Sequence, residues 1–75
     1  MQNDTKKILK KVFPNTSISI NSNINNTLEW DSISHIILIS ELERYFKKKL
    51  SAKEVLRLSS IKRIDKEILD FKKKK

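Results

Sequence analysis

The stretch that decides the fold is Trp30-Asp-Ser-Ile-Ser-His-Ile-Ile-Leu-Ile-Ser-Glu-Leu-Glu-Arg-Tyr-Phe46. Leu38, Ile39, Leu42 and Phe46 recur at helical spacing and predict one core-facing side of a helix over Ser32 to about Lys47, with His35 and Tyr45 at its margins. Ile33, Ile36 and Ile37 cluster on the other side with Ser40 and Arg44. A small domain must cover such a second apolar patch or offer it to a partner. Asp31 or Ser32 stands where a helix cap is expected. The free N–H groups and the dipole at that end also favour negative charge, so a phosphate ester on Ser32 would be well placed.

Working outward, Ser51-Ala-Lys-Glu54 has the spacing of a capping box and announces a short third helix holding Val55 and Leu58. A fourth helix follows Ser59 or Ser60 and carries Ile61, Ile64 and Ile68 on one stripe, flanked by Leu69 and Phe71. Upstream, Asp4 is placed to cap a first helix that Pro14 stops, with Ile8, Leu9, Val12 and Phe13 on one face. Between these lies Asn15 to Thr27, rich in Asn, Ser and Thr. Ile18 and Ile20 alternate as a strand would, but no second strand is available, so the segment is expected to be a long loop pinned by Ile18, Ile20 and Ile24. The expected fold is all-α: four helices, a long first connection and a short third helix, in one domain over residues 1–71 with a frayed basic tail at 72–75.

The composition narrows the classes. Seventy-five residues admit a single core, which supplies on the order of 3–5 kcal/mol net. Glycine is absent, which excludes phosphate-loop, doubly wound and tight-hairpin architectures. Cysteine is absent and histidine occurs once, so no disulfide and no metal site is expected. The longest apolar run, Ile36 to Ile39, is too short to span a bilayer, and with the polar start Met1-Gln-Asn-Asp4 no signal peptide is expected. A cytoplasmic monomer is expected. Seventeen basic residues against nine acidic ones give a net charge of +8, which suggests a nucleic-acid or anionic partner. Abundant Lys, Asn and Ile also fit an AT-rich coding sequence, so part of the basicity can be compositional.

The quoted stretch resembles the modification segment of the acyl carrier protein family, in which Asp-Ser-Leu opens the second helix and a Leu-Glu pair and a Phe follow at fixed distances. The matching residues are Asp31-Ser32-Ile33, Leu42-Glu43 and Phe46, and Leu50, Leu58-Ser59-Ser60-Ile61 and Ile68 continue the match without a gap. The resemblance covers about Leu28 to Ile68; over residues 1–27 it is one of architecture only. It implies a carrier and not an enzyme. A separate phosphopantetheinyl transferase would move 4′-phosphopantetheine from coenzyme A to the Ser32 hydroxyl, with Asp31 helping to orient the transfer. The arm's thiol would hold an acyl or aminoacyl thioester, for which a chain without cysteine must import its sulfur. The implied partners are an acyl- or aminoacyl-activating ligase and acyl-transfer or synthase enzymes, in a bacterial pathway such as fatty acid, polyketide, polysaccharide or flagellar-modification biosynthesis. By position in the family, Ile39, Leu42, Phe46, Leu50, Val55, Leu58, Ile61 and Ile68 would line an acyl-chain cavity; plain core packing is the favoured reading of any single one of them.

The sequence departs from the family in charge. Fatty-acid carriers are usually acidic, whereas this helix keeps Asp31, Glu41 and Glu43 and places Ser34, Ile37, Arg44 and Tyr45 where acids are frequent. Docking onto the usual basic enzyme surfaces would be weak, and dedicated partners reading Ile33, Ile36, Ile37 and Glu43 are expected. His35, one turn after Ser32, either touches the arm's phosphate or is a half-buried helix residue. Two other classes stand beside the carrier. One is a small basic nucleic-acid-binding module, against which the main helix shows isoleucines where a groove reader needs Arg, Lys, Asn or Gln. The other is a non-catalytic protein-interaction domain using the isoleucine patch.

Overall fold

In the computed structural model, which describes residues 1–74, the chain forms α1 (Asn3–Val12), α2 (Ser32–Phe46), α3 (Ala52–Arg57) and α4 (Ile61–Lys73). No strand occurs among the described residues, and the fold is all-α. No helix there is long and apolar enough to cross a membrane. Three of the four N-termini are built from their own neighbourhood. Asp31 caps α2, Ser60 caps α4, and Ser51 and Glu54 form the expected capping box of α3.

The start of α1 differs from expectation. Its N-cap is Gln2, without a side-chain cap bond, and Asp4 lies inside the first turn. The reason is tertiary. Asp65 on α4 accepts from the Gln2 backbone N–H at 2.8 Å and from the Thr5 hydroxyl at 2.7 Å, so one backbone donor at the free end of α1 is satisfied from another helix. The same bond makes it possible to bury Thr5 completely. Asp4 is then available to accept from the Tyr45 hydroxyl at 2.6 Å, tying α1 to the far end of α2. Burial, and next the Asp4 carboxylate, push the Tyr45 phenol up to about 12.

The core gathers Ile8, Leu9 and Phe13 of the α1 region, Trp30 ahead of α2, Leu38, Ile39 and Leu42 of α2, Leu58, and Ile61, Ile64 and Ile68 of α4. Each fully buried aliphatic side chain contributes about 1.5–3 kcal/mol of transfer free energy. Tyr45, Phe46 and Phe71 close the end near the α2 C-terminus, with ring centroids 5.2–5.4 Å apart. The long loop is pinned as its isoleucines predict, Ile18, Ile20 and Ile24 packing half-buried against the core. It is also stitched to the turn before α4 by a single antiparallel bridge, Asn23 to Ser60, in which the Ile24 N–H donates to the Ser59 carbonyl and the Ile61 N–H to the Ser22 carbonyl, both at 3.0 Å. Asn23 accepts from the N–H groups of Asn25 and Asn26 at 2.8 and 3.0 Å. Some of the asparagine richness therefore has a local role in turning the chain.

The fourth helix continues through Lys73, two residues past the boundary set at 71, and Lys72 reaches to within 4.0 Å of Asp4. Lys75, the end of the basic tail, lies outside the described residues. The end of α2 shows the cost of a glycine-free sequence. Lys47 adopts the left-handed conformation (φ 58°, ψ 38°), and the Lys48 N–H folds back to the Glu43 carbonyl at 3.2 Å. Lys47→Gly removes the Cβ penalty and is expected to stabilise the fold by about 0.5–1 kcal/mol. Thermal melting should show the midpoint rising by a few degrees; a fall would contradict the strained end.

Candidate functional site

The N-terminus of α2 is positioned by the residue before its cap. Trp30 is 2% exposed, packed against Phe13 with ring centroids 5.7 Å apart. Its indole N–H donates to His35 Nδ1 at 3.0 Å, and His35 Nε2 lies 2.9 Å from the Val55 carbonyl. An indole only donates and a carbonyl only accepts, so these contacts require the imidazole tautomer with its proton on Nε2. Trp30 precedes the cap and His35 is the fourth helical residue, the two positions of a hydrophobic staple. Here the staple is reinforced by a hydrogen bond and extended to α3. Both ring nitrogens of His35 are thus engaged inside the protein, and the reach toward a phosphate on Ser32 is not what the side chain does. Nor can it serve Ser32 as a base.

With Trp30 fixed, Asp31 takes an extended conformation and its Oδ1 accepts from the Ser34 N–H at 2.8 Å, while its carbonyl accepts the first helical bond from the His35 N–H at 2.9 Å. The Ser34 N–H, above all, holds the Asp31 carboxyl below its ordinary value of 3.8. The sign follows from linkage: this stabilisation is present above the ordinary value and is lost as the pH falls through the lower folded one. Since Asp31 is the cap, Ser32 is not. Ser32 is the first helical residue and is exposed, and its hydroxyl has no hydrogen-bond partner among the described residues. It stands at the positive end of a 15-residue helix.

Beyond the serine, Ile33, Ile36 and Ile37 are 70%, 66% and 49% exposed, as their position opposite the core face predicts. Leu56 on α3 is 77% exposed. It escaped the sequence reading, although turning Val55 and Leu58 inward leaves Leu56 outward on a one-and-a-half-turn helix. Glu43 lies two turns beyond Ile36, half-buried, its Oε2 accepting from the Leu50 N–H at 2.9 Å.

Of the residues placed along a possible acyl cavity, Ile39, Leu42, Leu58, Ile61 and Ile68 are buried in the core, while Phe46, Leu50 and Val55 are half-buried against it. A groove of about 210 Å³ opens where Phe46, Leu50, Leu58 and Phe71 meet, with charged side chains on its rim. Ser32 and Phe46 are the two ends of α2, so the Phe46 edge of this groove lies about 21 Å along the helix axis from the serine. Among the described residues no cluster of acidic and histidine side chains could hold a metal ion.

No family model, no curated protein and no solved structure matches this chain.

Trp30→Phe keeps one aromatic ring, with less volume than the indole, and removes the donor to His35 Nδ1. It is expected to cost about 1–3 kcal/mol, read as a lower urea midpoint. An unchanged midpoint would contradict the role assigned to the Trp30–His35–Val55 chain.

Proposed function

We propose that the chain is a carrier protein that bears 4′-phosphopantetheine on Ser32. The observation that carries this reading is the division of labour at the start of α2: Asp31 makes the cap bond to Ser34, and the Ser32 hydroxyl is exposed and unengaged. Nothing in the fold needs that hydroxyl. The helix end favours the phosphate that attachment would place there. The helix order (one helix, a long loop, the serine-headed helix, a short helix and a last one) supports the acyl-carrier-like arrangement that the residues from Leu28 to Ile68 suggest.

In this reading, coenzyme A's pyrophosphate bond breaks within a separate phosphopantetheinyl transferase. Ser32 Oγ gives up its proton and becomes an ester oxygen of the phosphopantetheine phosphate, and adenosine 3′,5′-bisphosphate leaves. Asp31, held by Ser34, keeps a negative charge beside the reacting hydroxyl. The arm supplies the thiol for an acyl or aminoacyl thioester. The chain contributes an exposed, rigidly based attachment point, from which a tethered cargo meets a docked enzyme at high effective concentration. The partners are a transferase, an activating ligase and the enzymes that take the cargo.

Intact-mass measurement after incubation with coenzyme A, magnesium and a broad-specificity transferase tests the proposal. One phosphopantetheine unit should be added to the wild-type chain and none to Ser32→Ala. Failure of the wild-type chain to gain mass, with the same enzyme loading a control carrier, would overturn it.

A further inference from the structure

The exposed isoleucines of α2 do not stand in an acidic frame. Between residues 31 and 57 there are four carboxylates and six cations. All four carboxylates have intramolecular partners. Asp31 accepts from the Ser34 N–H, and Glu43 from the Leu50 N–H. Glu41 lies 3.7 Å from Lys11 and 3.6 Å from Arg44. Glu54 accepts from the Ser51 N–H at 3.0 Å and lies 3.7 Å from Lys48. By contrast, Lys47, Lys49, Lys53 and Arg57 are exposed and have no ion-pair partner among the described residues. Glu29, in the loop ahead of the cap, is the nearest exposed carboxylate in sequence without a bond. The His35–Val55 bond ties the first turn of α2 to α3 one residue before the exposed Leu56, and Lys53 and Arg57 stand on either side of Leu56 in sequence.

We infer that the Ile33–Ile36–Ile37–Leu56 face docks proteins whose matching surface is apolar at its centre and carboxylate-rich at its edge, the reverse of the polarity that the resemblance implies. The inference rests on the carrier reading for its purpose, and names the partner class of the same helix. Charge complementarity selects the occupant. A second copy of this chain would bring two surfaces of net charge +8 molecules together. Faces that enter a bilayer surface commonly set Trp or Phe beside their aliphatic side chains. This face is wholly aliphatic, and Phe13, Trp30, Tyr45, Phe46 and Phe71 are all buried or half-buried elsewhere.

The test is a titration of the ¹⁵N-labelled, unmodified chain at low salt with two synthetic helical peptides. Both carry leucines along one face; one flanks them with glutamates, the other with lysines. The glutamate peptide should shift the amides of Ile33, Ile36, Ile37 and Leu56 and bind at least about tenfold more tightly than the lysine peptide. Ile36→Ser with Leu56→Ser, both at exposed positions, should weaken it about tenfold, and Lys53→Glu with Arg57→Glu should erase the preference. Equal binding of the two peptides would overturn the inference, as would shifts centred on Lys6 and Lys10 of α1. So would Ile36-dependent sedimentation with phosphatidylglycerol vesicles while neither peptide binds. The titration needs no modification of Ser32, so its failure is distinguishable from failure of the mass-gain experiment.

Discussion

The hydrogen bond from the Trp30 indole to His35 Nδ1 is the constraint on which the functional end of the molecule depends. It joins a loop residue to the first turn of α2, and His35 passes the connection to the Val55 carbonyl of α3. With Trp30 sealed against Phe13, the next residue has little freedom, and Asp31 falls into the extended conformation from which its carboxylate reaches Ser34. Asp31 therefore caps the helix and Ser32 does not. A hydroxyl that would ordinarily be drawn into capping is left facing solvent at the positive end of α2.

The opposite end is held by different means. Asp65 satisfies the start of α1, Tyr45 bonds to Asp4, and the rings of Tyr45, Phe46 and Phe71 pack together. These contacts join residues more than forty apart in sequence, except the neighbours Tyr45 and Phe46 and the pairs they make with Phe71. They let a chain without glycine or cysteine close a small core, at the expense of one left-handed lysine. The molecule is thus anchored at both ends of its longest helix, and the isoleucine face between them is left uncovered.

What the sequence made legible was local. The capping box Ser51–Glu54, the start of α4 after Ser59 or Ser60, the core stripe of α2 and the pinning of the loop by isoleucines all depend on residues a few positions apart, where spacing speaks directly for geometry. The misplacement of Asp4 as a cap had a different origin: its replacement, Asp65, lies across the fold, and spacing carries no sign of it. His35 was ambiguous for the same reason, since Trp30 is close in sequence but Val55 is twenty residues away. At the site, Asp31 and Ser32 were both legible as helix-opening residues, and only the geometry separates the capping role of the first from the exposed hydroxyl of the second. Leu56 was overlooked because a six-residue helix gives too few turns for a periodicity to be seen.

The hydroxyl at position 32 is dispensable to the fold, and the carboxylate beside it is not. Side-by-side urea unfolding of Asp31→Ala and Ser32→Ala measures this directly. Asp31→Ala should show a lower midpoint and Ser32→Ala an unchanged one. A loss of stability in Ser32→Ala as large as that in Asp31→Ala would contradict it, because the hydroxyl would then be part of the helix start and not a free attachment point.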